Sequence, residues 1–485
     1  MPRFPGDGYR DEPTVQPEDL HDVAVHDVSL GPDGGGGVPV GSGRSYNDDK
    51  RKKWYKNPIV WASACLCLVI IGIVGTIVAL AGDGDSEPKV GVQLPGPDVD
   101  ADTAASNRNA FTQVLMARYN DKGMDWSTVS NPESFQGRAL EYVIGSELYA
   151  QLSEDENVER YAAVVFYLST FRQPHLLTSE VDKWNRSNGW TTKQSLCVWE
   201  GVQCNGDNRL VGLILPENNL SGSLPLELAL FDQFDKFDFS SNLIYMDEDY
   251  HELWTLLPNL RELVMDDNYF ISETGIPQEF SGLQSIEKIS LSFNLLQGNF
   301  DDDVFGTIPT LIHFEAESNY IQGPFPDTML KMPNLTYIYV RRNSLTMPLS
   351  DILLPGNLPS LFALWLDGNE ITGDIPPEIG SFSGIASLSI TDAGLTGPLP
   401  TQMGQLVDLQ RLWLYNNELS GPIPTSAAQA WTKLEVFEVY GNKFIGAMPA
   451  SICSSVQSSD YAFATLTADC DEITCELGTC CTQCY

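Results

Sequence analysis

Aromatic rings and arginines are the side chains of this sequence whose types suggest chemistry, and that chemistry is ligand recognition. With one acid, the set is Tyr337, Tyr339, Arg341, Arg342, Trp365, Asp367, Arg411, Trp413, Tyr415 and Tyr440. Rings supply apolar contact area at little loss of side-chain entropy, and guanidinium groups fix carboxylates or sulfates. Aromatic residues also favour strands, so ordinary strand composition is the alternative explanation.

The sequence contains no pattern typical of catalysis. Its five histidines show no HExxH or other ligand spacing, and its 65 acidic residues are too numerous to single out a catalytic pair. The aspartate run at 301 to 303 lacks the spacing of an EF-hand, which favours a solvated turn over a calcium site. We therefore predict neither an enzyme nor a bound cofactor or metal.

Cysteines and glycosylation sequons suggest a secreted environment. Six cysteines close the chain, at Cys453, Cys470, Cys475, Cys480, Cys481 and Cys484. Six cysteines allow 15 pairings, which sequence cannot resolve, and zinc bound by the last four is the alternative to disulfides. Asn185, Asn219 and Asn334 each begin a sequon typical of surface glycans.

An internal repeat positions these residues. The pattern LxxLxLxxNxL recurs from Leu210 at intervals of 24 to 26 residues, with its Asn slot at 218, 242, 268, 294, 319, 343, 369, 393, 417 and 442. Nine of these ten slots hold Asn, and Ala393 fills the other. The paired apolar residues of each coil point inward from a short strand, and the strands stack into a parallel sheet. Each Asn is expected to bond backbone groups of neighbouring coils, leaving a gap at Ala393.

The repeat also predicts which side chains face outward. Positions flanking the paired apolar residues place the recognition set on the later coils. The earlier coils offer an acidic half, made of Asp238, Asp266, Asp267, Glu315 and Glu317. Tyr339, Trp365 and Trp413 should form a stripe along the solenoid, because neighbouring strands lie ~4.8 Å apart.

Three helices are predicted before the repeats. Ser106 is an N-cap candidate for the first, Asn131 with Pro132 opens the second through Ile144, and Ser153 precedes the third. No chemistry is attached to them. A final partial coil and the cysteine cluster read as a C-terminal cap, since solenoid ends expose apolar edges.

Charge divides the chain. Lys and Arg number 28 against 65 Asp and Glu, a net charge of -37, which argues against a nucleic-acid partner. Residues 59 to 82 carry no charge and are long enough to span a bilayer. Basic residues precede this segment, at Lys50, Arg51, Lys52, Lys53 and Lys56, and acids follow it, at Asp83, Asp85 and Glu87. The positive-inside rule then predicts a cytoplasmic N-terminus and an extracellular or lumenal C-terminus.

These features divide the sequence into six parts. They are a disordered cytoplasmic tail at 1 to 58, a transmembrane signal anchor at 59 to 82, an acidic linker at 83 to 105, a helical region and N-terminal cap at 106 to 209, about ten repeats at 210 to 452, and a Cys-rich cap at 453 to 485.

Seven coils have a glycine two positions after the last apolar residue of the repeat pattern. It falls at Gly222, Gly298, Gly323, Gly373, Gly397, Gly421 and Gly446, and seven coils also have an apolar residue followed by Pro. This LxGxIP continuation resembles the plant-type leucine-rich repeat of receptor-like kinases and polygalacturonase inhibitors. The segment Cys197 to Cys204 resembles that family's N-terminal cap, which implies a Cys197–Cys204 disulfide. GlyArgAlaLeu at 137 to 140 and ArgTyrAlaAla at 160 to 163 resemble membrane-anchored, kinase-free repeat proteins of diatoms and related algae.

The resemblance implies an α/β solenoid, a leucine-rich-repeat horseshoe with a parallel sheet on its concave face. The favoured function is an extracellular recognition protein, a kinase-free receptor, co-receptor or adhesion module that binds a peptide, protein or glycan on that face. The alternative is a wall-associated structural or inhibitory protein, similar to polygalacturonase inhibitors.

Overall fold

A computed structural model describes residues 94–171, 184–246, 248–458, 464–469, 471–475 and 483–484. The tail at 1 to 58, the membrane span at 59 to 82 and residues 83 to 93 of the linker lie outside this part of the chain, so their assignments stay predictions. Within the described ranges, no helix combines the length and the apolar content needed to cross a membrane.

Among residues 94–171 and 184–209, three α-helices precede the repeats, as the sequence predicts, with two of their starts displaced. They are α1 (Ala101–Lys122), α2 (Phe135–Ile144) and α3 (Glu154–Thr170). Asp100, and not Ser106, caps α1, because its side chain accepts a hydrogen bond from the Thr103 N–H. The helical region thus begins inside the predicted linker. Ser134 caps α2 after the Asn131–Pro132 turn, whereas the predicted Ser153 cap of α3 is confirmed.

Short strands recur with every coil of the repeat. In chain order they are β1 (Val202–Cys204), β2 (Leu210–Ile214), β3 (Ser221–Gly222), β4 (Lys236–Asp238), β5 (Leu243–Met246), β6 (Glu262–Val264), β7 (Tyr269–Ser272), β8 (Lys288–Ser290), β9 (Leu295–Asn299), β10 (His313–Glu315), β11 (Tyr320–Gly323), β12 (Tyr337–Tyr339), β13 (Ser344–Pro348), β14 (Ala363–Trp365), β15 (Glu370–Asp374), β16 (Ser387–Ser389), β17 (Gly394–Pro398), β18 (Arg411–Trp413), β19 (Glu418–Gly421), β20 (Val436–Glu438), β21 (Lys443–Phe444), β22 (Gly446–Met448), β23 (Thr465–Ala468), β24 (Ile473–Cys475) and β25 (Gln483–Cys484).

The described strands form two long sheets. The first sheet has thirteen strands in the order β1-β2-β4-β6-β8-β10-β12-β14-β16-β18-β20-β23-β25, parallel except for the β1–β2 pair. The second sheet has ten strands, from β3 to β21, and β22 pairs with β24. Because each coil adds one strand to each sheet, the predicted parallel solenoid is confirmed.

Short helices complete the coils. The α-helical ones are α4 (Asp302–Thr307), α5 (Asp327–Leu330), α6 (Leu349–Ile352), α7 (Thr425–Ala430) and α8 (Ala450–Ser458). The 3-10 helices are Leu196–Val198, Leu226–Leu230, Glu248–Leu256, Gln278–Gly282, Pro377–Ser381 and Thr401–Gln405. The described repeat region is therefore an α/β solenoid.

The paired apolar residues of each coil build the core. Leu364 and Leu366 are both fully buried, and Leu364 lies in register with Ile338 on one side and Leu388 on the other. Apolar residues of the three N-terminal helices continue the same buried cluster. Such burial is the main favourable term in folding, and here it runs along the stack of coils.

An asparagine ladder runs along the edge of this core. In the eight filled slots from Asn242 onward, the side-chain Oδ1 accepts from a backbone N–H, and Nδ2 donates to backbone carbonyls of its own coil and the preceding one. Asn218, in the first slot, instead accepts from Arg186 N and donates to Arg186 O of the N-terminal cap. Asn319 is representative: Oδ1 accepts from Leu296 N at 3.1 Å, and Nδ2 donates to Leu291 O at 2.9 Å. Ala393 has no side-chain amide, so this slot contributes no side-chain hydrogen bond to the ladder.

Polar contacts join the helical cap to the first coils. Buried Glu159 accepts from Arg209 Nε at 2.7 Å and from the backbone N–H of Leu210, the first residue of β2. Glu227 is also buried and accepts from Tyr119 Oη of α1 at 2.6 Å. Since burial of an unpaired charge is expensive, these partners hold the helices in one position on the solenoid.

Cysteine placement follows the resemblance as far as the structure describes it. Cys197 and Cys204 form a disulfide with their Cα atoms 5.6 Å apart. Cys453 is disulfide-bonded as well. The side chains of the other five C-terminal cysteines lie outside the described residues, so their pairing stays open.

Replacing Asn319 with Ala should lower the free energy of unfolding by about 2 to 4 kcal/mol, because buried backbone groups lose their partners. The converse substitution, Ala393→Asn, is a matched control: it supplies an amide where the ladder is interrupted, so stability should stay the same or rise. Denaturant unfolding followed by circular dichroism measures both. An unchanged midpoint for N319A would contradict a stabilising role of the ladder.

Candidate functional site

The outward side chains of the first sheet stand in columns set by the strand register. Tyr339 pairs with Trp365, Trp365 with Ser389, and Ser389 with Trp413. The predicted stripe is therefore one column, interrupted by Ser389. We call this outward surface the sheet face.

The two tryptophans meet across the serine between them. The centroids of Trp365 and Trp413 are 6.0 Å apart, with their planes at 82°. The Trp365 indole leans over β16, where its Nε1 donates to Ser387 Oγ at 2.8 Å. Small residues on β16 leave room for this arrangement, which joins rings that lie two coils apart.

The ring contacts extend to His313, which sequence reasoning did not include. Its ring stacks on Tyr337 at 5.0 Å and meets the edge of Tyr339 at 5.3 Å, and Tyr339 lies 4.4 Å from Trp365. We call His313, Tyr337, Tyr339, Trp365 and Trp413 the aromatic row. The missed signal was positional, because His313 is the register partner of Tyr337 on the preceding strand.

Exposure differs along the aromatic row. Tyr339 is only 6% exposed, so it supports its neighbours instead of offering a free surface. Tyr337, Trp365 and Trp413 are half-buried. A second ring pair, Tyr415 and Tyr440, stacks in the next column at 4.7 Å and 6°. The accessible rings are thus already held in place by other rings.

The arginines are less available to a ligand than the sequence suggested. Arg341 donates to both carboxylate oxygens of Glu317, at 2.8 and 2.7 Å, and its guanidinium lies 4.6 Å from the Trp365 ring centroid. Arg411 is 7% exposed and lies 3.5 Å from Glu435. Carboxylates from adjacent coils engage both cations, because the register brings opposite charges together. Arg342 remains exposed.

The carboxylates of the sheet face are likewise bonded within the protein. Asp367 accepts from Ser389 Oγ at 2.6 Å and from Thr391 N at 2.8 Å, and burial raises its pKa. His313 Nε2 lies 2.6 Å from Glu315 Oε1. Burial by itself favours the neutral acid, but His313 and Lys288 lower the pKa of Glu315.

Asp266 has the most perturbed carboxyl of the acidic half. It accepts from Ser290 Oγ at 2.7 Å and from Ser292 N at 2.6 Å. Burial raises its pKa to about 7, and the charge of Glu315 adds to the rise. The Asp266 carboxyl therefore adds less negative charge to the acidic half near neutral pH than its formal charge suggests.

The part of the chain that the structure describes contains no group of three or more His, Cys, Asp or Glu side chains that could hold a metal ion. In the aspartate run, Asp301 caps α4, and Asp302 accepts from Thr328 N at 3.1 Å. Two of these carboxylates thus serve local structure.

The repeats are similar in sequence to repeats of plant receptor-like proteins. Residues 360–382 and 408–429 match the family model Leucine Rich Repeat. The chain is 30% identical over 212 residues to receptor-like protein kinase BRI1-like 3 of Arabidopsis thaliana, covering 43% of this chain and 16% of that protein. It is 27% identical over 203 residues to Cuscuta receptor 1 of Solanum lycopersicum, covering 36% of this chain and 18% of that protein. The chain thus spans less than a quarter of the length of these two relatives.

Two solved structures of plant proteins resemble part of this chain. The Arabidopsis receptor kinase HAESA ectodomain, in complex with an IDA peptide hormone, has a TM-score of 0.47 at 22% identity over 57% of this chain and 48% of that chain. A plant ice-binding protein has a TM-score of 0.46 at 22% identity over 54% of this chain and 83% of that chain.

Replacing Asp266 with Asn should change how stability depends on pH. The folded carboxyl holds its proton up to a pKa of about 7, whereas the unfolded carboxyl loses it near pH 4. The Asp266 carboxyl of the wild type therefore contributes its full stabilisation to the free energy of unfolding below about pH 4, and this stabilisation is lost as pH rises towards 7. D266N avoids that loss, so its stability relative to wild type should rise by on the order of 4 kcal/mol between pH 4 and pH 8, the equivalent of about three pKa units.

Denaturant unfolding at a series of pH values measures this gain. Asp327→Asn, which removes an exposed carboxylate, is the control for net charge. A stability difference between D266N and wild type that is constant with pH would show that the carboxyl does not titrate differently on folding.

Proposed function

We propose that the protein is a single-pass, membrane-anchored, extracellular recognition protein that carries no kinase. It is a receptor, co-receptor or adhesion module that binds a peptide, protein or glycan on the sheet face, which is the concave face in the resemblance. The observation that carries the proposal is the aromatic row, with ring centroids 4.4 Å apart at Tyr339–Trp365 and 6.0 Å apart at Trp365–Trp413.

The support for a recognition role is physical. Large rings on a solvated surface are enriched among the residues that dominate binding energies. Trp365 is fixed by its hydrogen bond to Ser387 and by the guanidinium of Arg341 above its ring. A surface ordered before binding loses less conformational entropy when a ligand arrives, which favours affinity.

The charges of the sheet face and of the whole protein limit the class of ligand that we propose. Because Glu317 holds Arg341 and Glu435 lies beside Arg411, two of the three predicted anion-binding groups already have carboxylate neighbours. The net charge of -37 disfavours a strongly anionic partner at long range. We therefore propose a neutral or basic contact segment, such as an extended peptide or an uncharged sugar chain, with Arg342 available at the margin.

Three further parts belong to the same proposal. The uncharged segment at 59 to 82 with basic residues before it supports membrane anchoring with the repeats outside. The Cys197–Cys204 disulfide fits an oxidising compartment. The similarity to plant proteins named as receptors or receptor-like supports a receptor role. The proposed absence of a kinase rests only on the resemblance of residues 137 to 140 and 160 to 163 to kinase-free algal repeat proteins.

A wall-associated structural or inhibitory protein is the alternative. The cap at Cys197 to Cys204 resembles that of the family to which polygalacturonase inhibitors and receptor-like kinases both belong, so it is compatible with this function as well. In that case the ligand of the sheet face would be a wall-degrading enzyme, and a peptide or glycan would not bind.

Replacing Trp365 and Trp413 together with Ala should abolish ligand binding without unfolding the protein, because both rings lie outside the core. A glycan and peptide array probed with residues 83 to 485 identifies the ligand, and the variant should then lose about 2 kcal/mol or more of binding free energy. The control Tyr320→Ala removes an exposed ring of the second sheet. A folded double variant with wild-type affinity would place the site elsewhere.

Membrane topology gives a separate prediction. Protease added to intact cells should remove the repeats and spare an epitope within residues 1 to 58, because the basic flank keeps the N-terminus cytoplasmic. Immunoblots against both ends measure the outcome. Loss of the N-terminal epitope with survival of the repeats would reverse the assignment.

A further inference from the structure

An open groove of about 560 Å³ lies beside the asparagine ladder of the first coils, away from the aromatic row. Its lining includes Asn185, Glu217, Leu243, Asp267, Tyr269 and Phe293. Three of these expose large apolar side chains: Leu243 is 37% exposed, and Tyr269 and Phe293 are each 49% exposed. Contiguous exposed apolar groups on a soluble surface indicate a binding site.

The same position is polar farther along the ladder. The residue after the Asn slot is Asn219 in the first coil and apolar or aromatic in the next four, at Leu243, Tyr269, Leu295 and Tyr320. The late coils carry Ser344, Glu370, Gly394, Glu418 and Lys443 there. The repeat itself therefore does not require apolar side chains at this edge. Their concentration next to the groove is a local property of the first coils.

Phe293 has a strained backbone conformation. Its φ is 56°, in the left-handed region, and in most other coils this position holds a small, polar or glycine residue such as Ser241, Asp267 or Gly441. A bulky side chain in this region is strained, and strain persists where the surroundings or a function retain it. Here the strained residue also exposes half of its ring to solvent.

Asn185 lies at the end of the groove nearest the helical cap. It is exposed and begins the sequon Asn185–Arg186–Ser187. Its backbone N–H donates to Asn218 O at 3.0 Å, which ties it to the first coil. Its side-chain Nδ2 donates to Glu217 O at 3.1 Å. A glycosylated amide keeps one hydrogen on that nitrogen, so this bond is compatible with attachment of a sugar.

We propose that an N-linked glycan on Asn185 lies in this groove and covers its exposed apolar residues. The Nδ2 of Asn185 attacks the anomeric carbon of a polyprenyl-diphosphate-linked oligosaccharide. The C–O bond to the diphosphate breaks, a C–N bond forms, and the nitrogen loses one proton. The inference rests on the proposed extracellular placement, because that donor is used in the secretory pathway.

The lining fits a neutral sugar chain. Tyr269 and Phe293 offer rings for the apolar faces of sugars, and Glu217 and Asp267 lie among the lining residues as acceptors for hydroxyl groups. In the part of the chain that the structure describes, no Lys, Arg or His lines the groove, so nothing there selects an anion. From the first to the fourth coil the groove runs about 14 Å, three strand spacings, which a core of several linked sugars spans.

The test uses the full chain produced in a eukaryotic host that attaches high-mannose glycans. An endoglycosidase that cuts between the first two sugars releases the glycan, and glycopeptide mass spectrometry follows each sequon. Protection is the rate of release from the heat-denatured chain divided by the rate from the native chain. Asn334 is the internal control, because it is exposed and lies outside the groove.

We expect protection at Asn185 to exceed that at Asn334. Phe293→Asn should reduce it on the order of fivefold to tenfold, the size expected from lost ring contacts. Asn tolerates the left-handed backbone, so this variant should also melt at an equal or higher temperature. Leu243→Ser is a second groove variant with the same expected direction, and Tyr320→Ser, a ring outside the groove, should change nothing.

Other outcomes overturn the inference. A glycan at Asn219 or Asn334 with none at Asn185 refutes it, and Asn219 is included because it also lines the groove. A glycan at Asn185 whose protection is the same in wild type, F293N and L243S also refutes it. Absence of sugar from all three sequons refutes it together with the proposed extracellular placement. Ligand binding by the aromatic row is measured on the same samples and should be unchanged in F293N, so the failure of one proposal is distinct from the failure of the other.

Discussion

The structure depends on satisfying backbone groups that each coil buries when it turns from one sheet to the next. Buried N–H and C=O groups without partners are costly, and the asparagine ladder supplies the partners. Asn369, for example, accepts from Leu345 N at 3.0 Å and donates to Val340 O at 2.9 Å. Each such side chain joins two coils, so the ladder fixes their spacing and register together. The interruption at Ala393 is tolerated because the coils on both sides keep their amides and their apolar core.

Register then decides the chemistry of the sheet face. Parallel pairing puts Glu317 beside Arg341 and Tyr339 beside Trp365, so side chains that are far apart in sequence become partners. Arg341, Arg411 and His313 of this face each have a carboxylate neighbour. Half-buried rings are left as its principal accessible feature. An acidic protein thus presents a surface whose local character is aromatic.

The ends of the solenoid pose the opposite problem, because an end coil exposes apolar edges. At the N-terminal end, the three helices share their apolar core with the coils, and buried carboxylates hold them there. Glu159 receives bonds from Arg209 and from the Leu210 backbone, and Glu227 receives one from Tyr119. Removing one partner of such a group would leave a buried charge uncompensated. The junction is therefore specific as well as stable.

Periodicity explains how much the sequence determined. The repeat established the parallel solenoid, the inward apolar positions, the nine filled Asn slots and the outward placement of Trp365 and Trp413, because side-chain direction in a strand alternates with a fixed period of 2. The capping motif at Ser153 likewise located the third helix. The predicted start of the first helix was wrong, because Asp100 and not Ser106 caps it.

Contacts between coils were decided only by the tertiary structure. Sequence periodicity does not say that Tyr339 is buried, that His313 joins the aromatic row, or that the two indoles meet over Ser389. Each depends on the size and charge of a side chain about one coil away in sequence. The groove at Phe293 also lies between coils. Direction is a local property of the chain, but exposure and partnership depend on the neighbours that folding brings together.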